Sequence, residues 1–151
     1  GYAAMIASTT KLNTPGIPLG RMPGVHALTD VTGFGLLGHL LEICRGSNVE
    51  ATVDFDRLPL HPGVLELARE GSFTGASGRN CAGYGKDVAL PDDFETAKQA
   101  LLTDPQTSGG LLVACAPDAV GGVLAAFHAD GFDRAAIIGN VTAGAPRVVV
   151  R

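Results

Sequence analysis

His26-Ala27-Leu28-Thr29-Asp30-Val31-Thr32-Gly33-Phe34-Gly35-Leu36-Leu37-Gly38-His39 is the stretch on which the reading of this chain turns. Val25 to Val31 reads as a short strand with an acidic residue, Asp30, near its end. Thr32-Gly33-Phe34-Gly35 is a glycine turn, and from Phe34 to Arg45 apolar residues cover most of a helix. Only His39, Glu42 and Arg45 are polar there, in steps of three, which predicts a narrow wet stripe on a mostly buried helix. Gly46 supplies a stop.

Working outward, Val49, Ala51, Val53 and Phe55 alternate with Glu50, Thr52 and Asp54, the pattern of a strand with one face on the core. Val64 to Glu70 predicts a short helix closed by Gly71. Ser72 to Gly85 is rich in Gly, Ser and Asn and reads as a long loop, of the kind that carries function or mobility. A helix is expected around Glu95 to Leu102. Leu111 to Ala116 is continuously apolar and reads as a central strand covered on both faces. Pro117 suits a first helical position. Val120, Val123, Leu124 and Phe127 follow the spacing of an amphipathic helix that Gly131 ends. Ala135 to Val141 and Arg147 to Val150 read as closing strands around an Ala-Gly-Ala-Pro turn. Upstream, Tyr2, Met5, Ile6 and Leu12 recur at roughly helical spacing until Pro15-Gly16, so residues 1–24 read as a lead-in helix and linker to a domain over 25–151. Alternating strands and helices predict an α/β (α+β) layered sandwich with one mixed sheet covered by helices.

Composition narrows the function. The chain has 151 residues, 46% of them hydrophobic and 17% charged, which suits one globular domain. The net charge is −4, with no Lys/Arg block for neutralising nucleic-acid phosphates. Two Tyr, six Phe and no Trp make a poor base-stacking platform. No apolar run is long enough to span a bilayer. Cys44, Cys81 and Cys115 are odd in number and widely spaced, which fits reduced thiols in a cytoplasmic protein. Cys44 and Cys115 read as buried filler and Cys81 as the exposed thiol. The first residue, Gly1, is not Met, so the chain is expected to be processed or part of something longer.

Two runs carry chemistry. In the first, free amides at a helix start favour an anion. Thr32 could cap the helix or bond a phosphate oxygen, and Asp30 is a hard oxygen ligand suited to Mg²⁺ beside that phosphate. A strand-to-helix turn built only for packing would look alike. The second run is Thr103-Asp104-Pro105-Gln106-Thr107-Ser108-Gly109-Gly110-Leu111-Leu112. Its amides could form an anion-binding concavity; alternatively, Asp104 and Ser108 satisfy local backbone groups.

The first run resembles the signature that opens the C-terminal domain of selenophosphate synthetases. Asp104 to Leu112 is similar to a second signature of that family, and Gly78-Arg79-Asn80 with Gly83-Tyr84-Gly85 looks like its central loop. The resemblance covers nearly the whole chain. It implies an enzyme that makes selenophosphate, AMP and orthophosphate from ATP, selenide and water, using Mg²⁺. It also implies a two-domain fold shared with aminoimidazole ribonucleotide synthase, thiamine-monophosphate kinase and a hydrogenase maturation protein. Asp30 would be the metal ligand; Thr32, Gly33 and Gly35 would lie near the ATP phosphates; Asn80, Asp104 and Ser108 would belong to site loops. The reactive Cys or selenocysteine, its Lys, most metal-binding Asp residues and a homodimer interface belong to the family's N-terminal domain. No catalytic nucleophile is therefore expected in this chain, and alone it would be inactive. A sibling acting on a nucleotide or thiamine substrate, and a non-catalytic nucleotide- or partner-binding module, are the competing readings.

Overall fold

The structure, a computed structural model, describes residues 2–151; Gly1, the first residue of the expected lead-in, lies outside them. Helices α1 (Tyr2–Thr9) and α2 (Gly16–Leu19) lead into strand β1 (Val25–Asp30) and helix α3 (Gly35–Ser47). There follow β2 (Val49–Val53), α4 (Val64–Arg69), α5 (Gly75–Tyr84), β3 (Val88–Ala89) and α6 (Thr96–Thr103). Then come β4 (Leu111–Cys115), α7 (Val120–Ala129), β5 (Gly139–Ala143) and β6 (Arg147–Val150). None of the described helices is long and apolar enough to cross a membrane.

The α/β class and the mixed sheet are present. The sheet runs β3-β6-β2-β5, with β6 parallel to both neighbours and β5 antiparallel to β2. It does not take in β1 and β4, which pair antiparallel as a separate ribbon. The continuously apolar 111–116 run is thus not a central strand, although its two-sided apolarity has the expected cause. Leu112 faces the main core, whereas Leu111, Val113 and Cys115 face a second cluster built on Leu19, Val123 and Phe127.

The main core lies between α3 and the sheet. Leu37, Leu40, Leu41 and Cys44 from α3 meet Ala51, Val53 and Phe55 from β2 and its extension, with Leu102, Val148 and Val150. The alternation in β2 is therefore real: Glu50 and Thr52 stay half-buried, and Glu50 pairs with Arg147 on the neighbouring strand. His39 is half-buried and Glu42 and Arg45 are exposed, as the wet stripe requires.

Four local expectations change. Helix α3 passes Gly46 and ends at Asn48, whose φ of 53° and N–H bond to the Cys44 carbonyl make the left-handed cap. Helix α1 ends well before Pro15, where the Ser8, Thr9 and Thr10 hydroxyls bond back to Met5 and Ile6 carbonyls. Most of the 72–85 loop is helix α5, despite weak helix formers. Tertiary bonds impose it: the buried Ser77 Oγ lies 2.6 Å from Thr103 Oγ1 and donates to the Ala100 carbonyl at 3.1 Å. The last strand pair is not a hairpin, because β2 lies between β5 and β6, and β5 starts only at Gly139.

Leu41 is fully buried where α3 meets the sheet. Leu41→Ala should lower the unfolding free energy by about 3 kcal/mol, read from urea denaturation.

Candidate functional site

Backbone chemistry draws the two glycine runs together. Val31 N–H donates to the Gly110 carbonyl at 2.9 Å, and Gln106 N–H to the Thr32 carbonyl at 3.0 Å. Asp30 pairs with Leu111 where β1 ends and β4 begins. Gly109 sits so close that a Cβ there would lie 1.7 Å from the Val31 carbonyl oxygen, so only glycine fits. The turn from 104 to 110 therefore leans directly on the turn from 31 to 34. Asn13, before α2, ties the far side down with a 2.9 Å bond from Nδ2 to the Gly109 carbonyl.

The start of α3 is fixed from the other side. Gly35 has φ +67°, and a Cβ there would come within 2.7 Å of the Thr103 backbone at the end of α6. Asn80, on α5, donates from Nδ2 to the carbonyls of Gly33 and Thr103, both at 2.9 Å. The Tyr84 hydroxyl donates to the Phe34 carbonyl at 2.6 Å. Burial pushes the Tyr84 phenol up to about 12, with the nearby Cys81 sulfur contributing less.

The expected site residues thus fall into distinct groups. Asp30, Thr32, Gly33 and Gly35 lie on one continuous turn, with Asn80 bonded to its Gly33 carbonyl. Thr32 makes no capping bond; Phe34 is the N-cap residue of α3, and Thr32 Oγ1 instead lies 3.1 Å from His39 Nε2. Gly33 is open, since a Cβ there would meet nothing within 4 Å, and both Gly33 and the 52%-exposed Phe34 face outward. Asp104 is turned to structure: its Oδ1 accepts from Thr74 N at 3.0 Å and from Thr74 Oγ1 at 2.6 Å, at the start of α5. That bond spans thirty residues and is not the local turn contact expected from sequence. Ser108 is exposed on the second turn. Cys81 is half-buried on α5, not in a loop, and its Sγ accepts from Gln99 Nε2 at 2.9 Å. Asn13 and Thr74 support the site without any signal in the sequence of doing so, whereas Tyr84 lies in the Gly83-Tyr84-Gly85 stretch that resembles the family's central loop.

Asp30 is exposed at the strand end and takes part in none of the ion pairs among the described residues. Those residues contain no cluster of three or more His, Cys, Asp or Glu able to hold a metal. One open carboxylate still fits Mg²⁺, which commonly takes one or two protein carboxylates and fills its sphere with phosphate and water.

Two measurements test this framework. Asn80→Ala leaves the Gly33 and Thr103 carbonyls without their donor and should cost about 1–3 kcal/mol in chemical denaturation. For Tyr84, the folded pKa lies above the ordinary value of 10.0, so its contribution to stability is complete below pH 10 and fades as pH rises towards 12. Tyr84→Phe should therefore flatten the fall in melting temperature between pH 10 and 12, at about 1 kcal/mol lower stability near neutrality.

Comparison with known proteins places this arrangement. The family described as AIR synthase related protein, C-terminal domain, matches residues 16–151. A selenide, water dikinase of Burkholderia ambifaria is 64% identical over 150 residues, covering 99% of this chain and 42% of the relative. One from Dechloromonas aromatica is 53% identical over 149 residues, covering 99% of this chain and 43% of the relative. The chain thus spans well under half the length of these relatives. Among solved structures, E. coli HypE is similar with a TM-score of 0.53 at 28% identity, over 91% of this chain and 34% of that one. A thiamine-monophosphate kinase from Stenotrophomonas maltophilia K279a gives 0.54 at 26% identity, over 84% of this chain and 31% of that one. With its two glycine runs joined and its whole 16–151 span matched, the chain belongs to the AIR synthase related C-terminal domain family.

Proposed function

We propose that this chain is the C-terminal part of a selenophosphate synthetase, an ATP-dependent enzyme making selenophosphate, AMP and orthophosphate from ATP, selenide and water. The observation that carries the reading is 64% identity to a selenide, water dikinase across 99% of the chain. The 26–28% identity to solved siblings of other names weighs less.

In this reading the 31–35 turn and the start of α3 face the ATP phosphates, with Thr32, Gly33 and Gly35 nearest. The Val31 and Gly35 N–H groups are already bonded to the Gly110 and Thr32 carbonyls, which leaves the other amides to the anion. Fixed amide dipoles need no rearrangement as charge develops, which suits phosphoryl transfer. Asp30 holds Mg²⁺, which neutralises phosphate charge when bound. Asn80 fixes the turn through the Gly33 carbonyl, Asp104 sets the start of α5, and Ser108 lies on the adjoining turn. In this reading the nucleophile belongs to the N-terminal domain and none of the three thiols of this chain takes its place; Cys44 is buried, and Cys81 and Cys115 are half-buried. Its partners are then ATP, selenide and its own N-terminal domain, in a cytoplasmic homodimer.

Helix α1 supports the idea of a covering partner. It has eight residues, none buried, with Tyr2 77%, Met5 49% and Ile6 40% exposed. Helices shorter than about 12 residues are marginal in water without packing. The part of the relatives beyond this chain is the natural cover.

Phosphorus NMR on the full-length protein with Mg-ATP and selenide, without oxygen, tests the reading. Selenophosphate should grow together with AMP and orthophosphate; ATP left intact would overturn it. Asp30→Asn should then lower turnover about a hundredfold or more, because one charge leaves the metal site. Unchanged turnover would remove Asp30 from that site.

A further inference from the structure

The Thr32 hydroxyl has one proton to donate and two lone pairs. Its side-chain partner among the described residues is His39 Nε2, at 3.1 Å. The direction of that bond decides what Thr32 offers the space outside the turn. If Thr32 donates to a bare Nε2, only lone pairs face outward, which suits a cation and repels a phosphate oxygen. If Nε2 carries the proton, it donates to Thr32, and the hydroxyl proton is left for an anion. Imidazole has three protonation states, and two of them, neutral Nε2–H and the doubly protonated ring, give the second arrangement. The remaining one, Nδ1–H, is the less stable neutral tautomer of a histidine side chain and is normally favoured by an acceptor at Nδ1, whereas the one hydrogen bond of the ring among the described residues is at Nε2. The ring is also held in place: His39 is half-buried one turn into α3, and the Phe34 ring packs against it at 5.7 Å with a 47° tilt.

We propose that His39 is a positioning residue that donates from Nε2 to Thr32 Oγ1, turns the single Thr32 proton outward, and so makes Thr32 select a phosphate oxygen over a cation. The cation is left to Asp30, two residues earlier. The selectivity rests on reading this turn as the phosphate-proximal part of a selenophosphate synthetase; the direction of the hydrogen bond does not.

Two independent readouts test it. Long-range ¹H–¹⁵N correlation on the ¹⁵N-labelled full-length protein reports which ring nitrogen of His39 carries a proton, with His39→Gln assigning the signal. A protonated Nε2 is expected; a neutral ring with the proton on Nδ1 overturns the proposal. In the full-length protein, His39→Leu and Thr32→Val should each raise the KM for Mg-ATP about tenfold, the effect of one lost hydrogen bond. Because the two act as a unit, the double variant should be no worse than Thr32→Val alone. His39→Gln, whose amide restores a donor at similar reach, should recover most of the loss. Additive losses, or an unchanged KM in His39→Leu, would overturn the proposal. Should His39→Leu fail to fold, the tautomer and the His39→Gln comparison still decide. If the wild-type enzyme converts no selenide, the functional reading falls, yet the Mg-ATP dissociation constants of the same variants still report whether His39 acts through Thr32.

Discussion

The seating of Gly109 against the Val31 carbonyl is the constraint on which the rest of this structure depends. With a side chain at 109, the 104–110 turn could not approach the end of β1, and the bonds from Val31 N to Gly110 O and from Gln106 N to Thr32 O would be lost. Those bonds set the register in which Asp30 meets Leu111. On the other side of the same turn, the Thr103 backbone at the end of α6 presses on Gly35. A site made of backbone amides needs this kind of fixation, since amides cannot adjust by rotating about side-chain bonds.

The β1–β4 ribbon carries the same constraint into the packing. Two strands alone are marginal in water, and here each face is covered by a different apolar cluster: Val31 and Leu112 join the α3 core, while Leu28, Leu111 and Val113 join that of α2 and α7. The ribbon stands between the two cores, and Asp30 lies at its end.

Periodicity made much of this legible. The wet stripe on α3, the alternation in β2 and the amphipathic α7 follow directly from local burial, which sequence records one residue at a time. The glycine runs were legible as turns because Gly35 occupies a positive-φ conformation that side chains resist. Other features were not readable, for reasons of the same physics. Helix α5 is rich in Gly, Ser and Asn, and tertiary bonds from Ser77, Asn80 and Tyr84 to Ala100, Thr103, Gly33 and Phe34 hold it as a helix. The placing of β1–β4 outside the main sheet is a question of pairing, and an apolar strand flanked by two cores has the same composition as a central one. Asp104 looked like a local turn residue, yet its partner Thr74 is thirty positions away.

The chemistry of the joined turns also explains what this domain leaves to others. Neither 29–39 nor 103–111 contains a Lys or Arg, and the whole chain carries a net charge of −4. On the proposed reading, these two stretches attract an anion through oriented amides and Thr32, not through cations of their own. Such dipoles act within the first turn of a helix and fall off quickly, so they select an anion that is already close instead of drawing one in from a distance. A lone carboxylate in the same corner would repel that anion unless a cation lay between them. On the proposed reading, the arrangement therefore works only when metal and phosphate arrive together, with the remaining ligands supplied by the longer protein.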